Sequence, residues 1–193
     1  IANRSSGAQG SAIAAALLAL GAEVVFITGP AEIAAPHGVA LVAVQTAQEM
    51  SKAVEAALPA DAAICAAAVA DWRVVTPQTR KLKKQHGITP QLKFAENPDI
   101  LARISQHGPS RPQLVVGFAA ETDNVVENAT AKRHRKACDW IIANDVSPET
   151  GIMAGIENAV ILITETGVES WPRLPKTEVA ARLAHRVAEV LNS

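Results

Sequence analysis

The sequence predicts an α/β fold of the Rossmann-like type, with a mostly parallel sheet flanked by helices, a small antiparallel portion and a long basic arm. Apolar runs such as residues 23–28 and 62–70 are continuous, which is typical of strands buried on both faces. Helical and strand patterns alternate along the first half, which favours right-handed crossovers. The length of 193 residues suits one domain, residues 1–193. Because the chain begins at Ile1 without a Met, we expect it to be N-terminally truncated.

The first element is a glycine-rich loop, residues 3–10, that leads into an Ala- and Leu-rich helix over residues 11–20. A helix N-terminus behind such a loop is a common cradle for phosphate. The match is loose, since the loop has neither G-x-G-x-x-G nor a P-loop lysine. An ordinary helix start, with Gly10 at a close contact to a strand, is the structural alternative.

Strands are predicted next over residues 23–28 and 39–44, and a helix from Thr46 to about Leu58. Thr46 and Glu49 have the spacing of a capping box, which satisfies free N–H groups of the first helical turn. Residues 62–70 then predict a buried parallel strand that reaches the rim of the sheet at Asp71.

The stretch from Cys65 to Lys84 combines a floor of small side chains, the Asp71 carboxylate and a cluster of cations. Ligands of open α/β sheets bind at the carboxyl ends of the strands. A nucleotide or another phosphorylated substrate fits this combination, whereas a core strand followed by a solvated loop is the structural alternative. Residues 71–92 contain no clear helical pattern, and long loops of this kind often act as lids. The cations are Arg80, Lys81, Lys83 and Lys84.

The second half predicts a turn at residues 96–99, a helix to about Gln106, a strand over 114–119 and a helix over 124–137. Lys132 and Lys136 share one face of that last helix. Two ammonium groups so close repel each other unless an anion lies between them. The alternative is that the helix dipole favours cations at a C-terminus.

The remaining segments predict strands over residues 139–143 and 159–164, with residues 169–174 as a hairpin partner of the second. A final helix is predicted over residues 177–191. Its apolar side chains recur at helical spacing, so we interpret them as packing against the core. These side chains are Val179, Leu183, Val187 and Leu191.

Composition excludes several classes of function. A net charge of −1 gives no global field for nucleic acid or an anionic membrane. No apolar run is long enough to span a bilayer, and the two cysteines, Cys65 and Cys138, fit a reducing cytoplasm. The chain has no Tyr, which short-chain dehydrogenases need for acid–base chemistry, and no G-x-S-x-G motif of a hydrolase. The five His lack the spacing of a zinc site.

Together, these stretches carry a resemblance to one family. The chain closely resembles phosphopantothenate–cysteine ligases of the bacterial, CTP-using type, which usually form the C-terminal half of a bifunctional coenzyme A biosynthesis protein. Each match is weak alone, but they occur in the family's order over nearly the whole chain. The matching residues are 3–7 with Gly10, 28–30, 67–71, 81–84, 97–100, 117–122, 132–136 and 143–146.

The resemblance implies a two-step reaction. The carboxylate of 4′-phosphopantothenate attacks CTP and releases pyrophosphate, and L-cysteine then captures the acyl-cytidylate to give phosphopantothenoylcysteine and CMP. It implies CTP as substrate, Mg²⁺ with its phosphates, and no FMN on this chain. It also implies a homodimer in which the basic arm reaches the partner's site, a fused flavin-dependent decarboxylase domain, and a cytoplasmic location. Nucleic acid and membranes are not expected partners.

The resemblance also assigns roles to residues. Asn3 and Ala68 lie beside the acyl-cytidylate and Lys81 stabilises charge at the α-phosphate, so these three are the expected catalytic residues. Asp71 is the expected contact to Mg²⁺. The expected nucleotide-binding residues are Ser5, Ser6, Gly7, Cys65, Ala66, Ala67, Asp71, Lys81, Pro98, Asp99, Ile100, Leu101, Phe118, Lys132 and Lys136.

The chain departs from the family pattern in three places. Ala8 stands where the family usually has Lys, and Trp72 where it often has Tyr. The family's first strand, with its Gly-Gly-Thr phosphate loop, would precede Ile1. Two alternatives to the ligase therefore stay open: a dinucleotide-dependent oxidoreductase, and a non-catalytic nucleotide-binding dimerisation module. The oxidoreductase is disfavoured because Thr28-Gly29-Pro30 stands where an acidic ribose-binding residue is required.

Overall fold

The computed structural model describes residues 6–76, 92–147 and 157–193. Its centre is a five-stranded sheet in which a parallel half adjoins an antiparallel half. In spatial order its strands are β10 (Val168–Ser170), β9 (Val160–Ile163), β7 (Trp140–Asp145), β6 (Leu114–Glu121) and β3 (Ala62–Cys65). The parallel half runs from β3 through β6 to β7, and β9 and β10 follow in antiparallel pairing.

Helices cover both faces of this sheet. They are α1 (Ala8–Ala19), α2 (Ala47–Ala56), α3 (Ile100–Ser105), α4 (Val125–Lys136) and α5 (Lys176–Leu191), with a short 3₁₀ turn at Gly108–Ser110. Side chains of β6 alternate between the two faces, as a pleated strand requires. Leu114 and Val116 pack in the cluster that includes Leu183 of α5, whereas Val115 packs in the cluster that includes Ala129 of α4. The predicted Rossmann-like arrangement is confirmed.

The first two strands form a sheet of their own. β1 (Val25–Thr28) and β2 (Ala40–Ala43) pair in parallel, in register from Val25–Ala40 to Thr28–Ala43. Within the described ranges this pair is a separate two-stranded sheet, although the apolar pattern predicted one continuous sheet. The predicted capping box of α2 is confirmed: Glu49 N–H donates to Thr46 Oγ1 over 3.1 Å, and Thr46 N–H donates to Glu49 Oε2 over 3.2 Å.

The predicted strand over residues 62–70 is wrong after Cys65. β3 pairs with β6 only from Ala62–Leu114 to Cys65–Gly117. Two later carbonyls are bonded outside the sheet, because the side chain of Asn97 donates to Ala70 O over 2.8 Å and its backbone N–H donates to Asp71 O over 2.7 Å. The chain therefore leaves the sheet after Cys65 as a loop.

A short antiparallel hairpin lies in the segment for which no regular structure was predicted. β4 (Trp72–Val74) pairs with β5 (Phe94–Glu96), with Trp72 opposite Glu96 and Val74 opposite Phe94. The predicted basic cluster, Arg80, Lys81, Lys83 and Lys84, lies between these strands in the sequence and outside the described residues.

The C-terminal region agrees with its prediction. β10 pairs with β9 as an antiparallel hairpin, from Val168–Ile163 to Ser170–Ile161. A second short pair, β8 (Glu157–Asn158) with β11 (Leu174–Pro175), precedes α5. The apolar residues Val179, Leu183 and Val187 of α5 are buried against the sheet. In the part of the chain that the structure describes, no helix is both long and apolar enough to cross a membrane.

Candidate functional site

The carboxyl ends of three parallel strands form one edge of the central sheet. β6 ends at Glu121 opposite Asp145, the end of β7, whereas β3 ends earlier, at Cys65 opposite Gly117 of β6. This edge is where open α/β sheets bind ligands. The loop after Cys65, the start of α3 and the last two turns of α4 contribute the side chains that meet near it.

The loop after β3 supplies small side chains. Ala67 and Ala68 are exposed, and Ala66 is half-buried against the cluster that includes Phe118. Asn97 fixes the far end of the loop through the Ala70 and Asp71 carbonyls. A flat ligand can approach the backbone here because the loop's own side chains are short. Asn97 was predicted as part of a turn and lies in the stretch 97–100 that matches the family, but its bonds to the Ala70 and Asp71 carbonyls were not predicted.

The start of α3 is held close to β6. Asp99 caps the helix, since Ala102 N–H donates to Asp99 Oδ1 over 3.0 Å. Leu101 lies directly over Gly117: a Cβ at Gly117 would be 2.5 Å from Leu101 Cδ2 and 2.8 Å from Ile141 Cδ1. A larger residue at Gly117 would force the side chains of Leu101 and Ile141 to rotate, so glycine lets Leu101 pack directly on β6.

Lys132 reaches the edge from α4. Its ammonium donates to the carbonyl oxygen of Phe118 over 2.8 Å, so two predicted nucleotide-binding residues are in direct contact. Burial lowers the pKa of Lys132 below its ordinary value of 10.5. The nearby charge of Glu121 opposes that shift in pKa, and the charges of Lys136 and Arg135 add to it.

Lys136, one turn further along α4, has a different partner. Its ammonium forms a hydrogen-bonded ion pair with Asp99 Oδ2. Partial burial raises the pKa of the Asp99 carboxyl, but the hydrogen bonds from Lys136 and from Ala102 N–H, with the positive charges nearby, outweigh burial and lower the pKa below its usual value. The anion beside Lys136 in this structure is thus a carboxylate of the same chain.

Cys65 lies at the carboxyl end of β3, among the side chains packed beneath α3 and α4. Burial raises the pKa of its thiol to about 12, and the neighbouring charges of Cys138 and Asp99 add to the shift. A thiol with such a pKa is not a nucleophile at neutral pH. Cys65 can line a site with its surface and backbone, but it cannot act as a covalent catalyst.

The N-terminus of α1 has the geometry of a backbone cradle. Gly7 precedes the helix with φ 78°, and a Cβ there would lie 2.9 Å from Ala31 Cβ, so glycine is required. Ser6 Oγ accepts the N–H of Ala8, the first of the helix, over 3.3 Å. The backbone of Ser6 connects this loop to the segment after β1, because Ile33 N–H donates to Ser6 O over 3.2 Å.

The predicted site residues lie in several parts of the fold. Ala66, Ala67 and Ala68 are in the loop after β3, Pro98 and Ile100 flank the cap of α3, and Asp71 is at the base of the hairpin. Cys65, Leu101, Phe118 and Lys132 contact the sheet edge or its core side, and Asp99 and Lys136 are paired above it. Ser6 and Gly7 belong to the α1 loop, which contacts residues 31–33. Asn3, Ser5 and Lys81 lie outside the described residues.

Asp71 was predicted to contact Mg²⁺. Its side chain is exposed at the base of the hairpin. Over the described ranges, no group of three or more His, Cys, Asp or Glu side chains could hold a metal by itself. This donor set fits Mg²⁺ in the form the ion takes with nucleotides, held by one carboxylate together with phosphate oxygens and water.

Comparison with known proteins identifies the family. Residues 1–191 match the model of the DNA/pantothenate metabolism flavoprotein C-terminal domain. The Escherichia coli (strain K12) coenzyme A biosynthesis bifunctional protein CoaBC is 43% identical over 186 residues, which are 95% of this chain and 45% of that protein. The chain thus spans about half the length of the curated relatives it matches.

Solved structures agree in fold. The C-terminal domain of a coenzyme A biosynthesis bifunctional protein CoaBC superposes with a TM-score of 0.79 at 34% identity, over 98% of this chain and 85% of that one. A Cab2 variant in complex with phosphopantothenate-cysteine has a TM-score of 0.69 at 18% identity, over 98% of this chain and 80% of that one, and it supports the fold alone. From its sequence and its fold, the chain belongs to the DNA/pantothenate metabolism flavoprotein C-terminal domain family.

Proposed function

We propose that this chain joins 4′-phosphopantothenate to L-cysteine at the expense of CTP. The main support is a pair of lysines at the carboxyl edge of the sheet, beside an exposed loop of small residues. Lys132 donates to the Phe118 carbonyl, and Lys136 pairs with Asp99. The chain's membership of a family that includes CoaBC proteins supports the same conclusion. A Cab2 variant of the same fold has been solved in complex with phosphopantothenate-cysteine.

The reaction proceeds in two balanced steps. A carboxylate oxygen of 4′-phosphopantothenate bonds to the α-phosphorus of CTP as the bond to the leaving pyrophosphate breaks. The cysteine amine then bonds to the acyl carbon, CMP leaves with the electron pair of the broken C–O bond, and the amine loses a proton. Both steps depend mainly on positioning and on neutralising phosphate charge.

Lys132 and Lys136 of α4 can neutralise the negative charge of the triphosphate. Lys132 is anchored to a backbone carbonyl at the strand edge and keeps further N–H donors for phosphate oxygens. Its lowered pKa comes from burial, and in a desolvated site a positive charge interacts more strongly with an anion than it does in water. Asp71 would hold Mg²⁺, and the ion would supply further neutralisation of the phosphate charge.

The remaining roles are proposed from the family resemblance. Lys81 stabilises charge at the α-phosphate, and Asn3 and Ala68 lie beside the acyl-cytidylate. Ser5, Ser6 and Gly7 line the phosphates at the start of α1, where the helix dipole favours an anion. Preference for CTP over ATP is proposed to come from backbone groups, because the loop at Ala66 and Ala67 and the turn of residues 98–101 present backbone rather than long polar side chains.

A homodimer is proposed from the hairpin. Four large apolar side chains in and beside it are exposed, which is unusual for a short two-stranded element. A second copy of the chain that covers this surface would bring the intervening arm, with Lys81, towards the partner's site. The exposed side chains are Trp72 (48%), Val75 (52%), Leu92 (45%) and Phe94 (47%). One domain over residues 1–193, a fused flavin-dependent decarboxylase domain and a reducing cytoplasm also stay predictions.

Pyrophosphate release tests the proposal. The chain is mixed with 4′-phosphopantothenate, Mg²⁺ and either CTP or ATP, with and without L-cysteine. We expect release with CTP, formation of phosphopantothenoylcysteine only when L-cysteine is present, and loss of release in Lys81→Gln. Lys52→Gln is the matched control, because Lys52 is an exposed lysine of α2 outside the proposed site.

Three outcomes separate the alternatives. CTP-dependent release that Lys81→Gln abolishes and Lys52→Gln preserves supports the ligase. Binding of CTP without release by the wild-type chain would favour a nucleotide-binding module instead. Neither binding nor release would contradict the proposal outright.

A further inference from the structure

Asp99 carries two contacts at once, one from each of its carboxylate oxygens. Oδ1 accepts the N–H of Ala102 over 3.0 Å and caps α3, while Oδ2 accepts the ammonium of Lys136 from α4. Resting on the proposed function, we propose that the carboxylate of Asp99 positions Lys136 for the nucleotide triphosphate and does not itself contact the triphosphate.

Charge decides how Asp99 can act. Its carboxylate is negative, and both oxygens already accept hydrogen bonds from the protein. A triphosphate is a polyanion, so a direct contact between the two would be repulsive. Lys136, in contrast, has three N–H donors, and the pair with Asp99 leaves donors for phosphate oxygens. Asp99 therefore contributes through the lysine that it holds.

Lys136 needs such a partner because α4 concentrates positive charge. Arg133, His134, Arg135 and Lys136 occupy its last turn, and Lys132 lies one turn before Lys136. In the absence of a counter-charge, repulsion from Lys132 and Arg135 would drive the flexible Lys136 side chain out into solvent. The Lys136 side chain is instead 21% exposed, and that of Asp99 is 43% exposed. The ion pair with Asp99 thus keeps the Lys136 ammonium at the site, although the end of α4 is rich in positive charge.

The position of Asp99 is itself fixed by the sheet. Asp99 starts α3, and Leu101 two residues later rests on Gly117 of β6. The ammonium of Lys132 is fixed to the same strand through the Phe118 carbonyl. Both lysines are therefore held in place relative to β6, Lys132 directly and Lys136 through Asp99. Their separation is set before any ligand binds, which lowers the cost of ordering them in the complex.

The test compares ligand binding by variants of the full chain. Asp99→Asn removes the charge and keeps a good helix cap, and Asp99→Ser is a second capping variant. Calorimetry measures the affinity of each protein for two ligands, CTP with Mg²⁺ and inorganic tripolyphosphate. The proteins are wild type, Asp99→Asn, Asp99→Ser, Lys136→Met and the double variant Asp99→Asn with Lys136→Met. We expect Asp99→Asn and Asp99→Ser to weaken both ligands about three- to fivefold, while thermal unfolding stays cooperative and well above the temperature of the titration. In the Lys136→Met background, Asp99→Asn should have no further effect.

Two results would overturn this role. Unchanged or tighter binding by both Asp99 variants would show that Asp99 does not help Lys136. An equal loss with and without Lys136 would mean that Asp99 acts independently of it. Binding is read separately from pyrophosphate release: a chain that binds both probes with the expected coupling but releases no pyrophosphate keeps the role of Asp99 and loses the proposed reaction, whereas a wild-type chain that binds neither probe contradicts both.

Discussion

Arg111 and Asp139 clamp the amino end of the central sheet. The Nη2 atom of Arg111 lies 2.9 Å from Asp139 Oδ1 and 2.8 Å from Oδ2, and Asp139 Oδ2 also accepts the N–H of Val115 over 2.7 Å. Arg111 further donates to the carbonyls of Ser105 and Pro112, each over 2.8 Å. One guanidinium thus connects the end of α3, the entry to β6 and the entry to β7.

We predict that Arg111→Met lowers the free energy of unfolding by about 1–3 kcal/mol, because it leaves two carbonyls without their donor and removes the ion-pair partner of the partly buried Asp139 carboxylate. Urea denaturation measures the change. Arg186→Gln is the control, since Arg186 is exposed and lies 3.6 Å from Glu169; its cost should stay below about 0.5 kcal/mol. Equal costs for the two variants would contradict the clamp.

Gly117→Ala should destabilise the protein by about 1–3 kcal/mol, because the added methyl group would overlap Leu101 and Ile141. It should also weaken CTP binding, because the Leu101 side chain must rotate away from Gly117 and thereby disturb the neighbouring turn of residues 98–101. Calorimetric unfolding and CTP titration measure the two effects. Gly10→Ala is the control: Gly10 lies in α1, where the added methyl carbon would be 3.8 Å from Phe26 Cε2, and alanine there should be neutral or stabilising. A harmless Gly117→Ala would mean that the spacing of α3 and β6 is not tight.

The lowered pKa of Lys132 predicts how CTP binding depends on pH. As pH rises, Lys132 loses its proton below the ordinary value of 10.5, and the site loses a positive charge. CTP affinity should therefore start to fall at a lower pH than an ordinary lysine would produce. Lys132→Arg stays charged and should flatten this decline at pH values below 10.5, because a guanidinium keeps its proton there. A decline that is identical in Lys132→Arg would exclude Lys132 as its cause.

The Asp99–Lys136 pair predicts a loss of stability in acid. A carboxyl whose folded-state pKa is lowered contributes stability above its unfolded value, and the contribution is lost as pH falls through the folded-state value. For Asp99 the ordinary value is 3.8, so wild type should exceed Asp99→Asn in stability at pH 6, and the difference should shrink as pH falls below 3.8. Urea denaturation at several pH values measures it. If the difference in the free energy of unfolding between wild type and Asp99→Asn did not change with pH, the ion pair would not contribute as predicted.

Both thiols should react slowly while the protein is folded. Burial raises the pKa of Cys65 to about 12, and burial also raises that of Cys138, which is 3% exposed. At pH 8 the thiolate fraction of Cys65 is on the order of one in ten thousand. Ellman's reagent should label neither thiol quickly in buffer and should label both in urea. Rapid labelling of folded Cys65 would contradict its predicted environment.

The sequence predicted those features that depend on neighbours in the chain. The capping box of α2, the β9–β10 hairpin and the shared face of Lys132 and Lys136 all follow from spacing within one element or between adjacent ones. The partner of Lys136 could not be predicted in this way, since Asp99 is 37 residues away in the chain and meets it only through the packing of α3 on α4.

Two other predictions, the length of β3 and the single continuous sheet, were wrong for a similar reason. Residues 66–70 carry the same small apolar side chains as β3, but the Ala70 carbonyl that ends this segment accepts a hydrogen bond from the distant Asn97 rather than from a neighbouring strand. Nothing in residues 66–70 themselves indicates that hydrogen bond. The separate β1–β2 sheet is a comparable case, because an apolar pattern predicts a strand and a buried face but does not specify the neighbouring strand.

Asn97 has a mechanical consequence for the site. It bonds to two successive carbonyls, those of Ala70 and Asp71, on the segment that enters the hairpin, and it is followed directly by Pro98 and Asp99. The base of the hairpin and the start of α3 are thereby joined by two hydrogen bonds. We therefore expect a displacement of the β4–β5 strands to shift the carboxylate that holds Lys136.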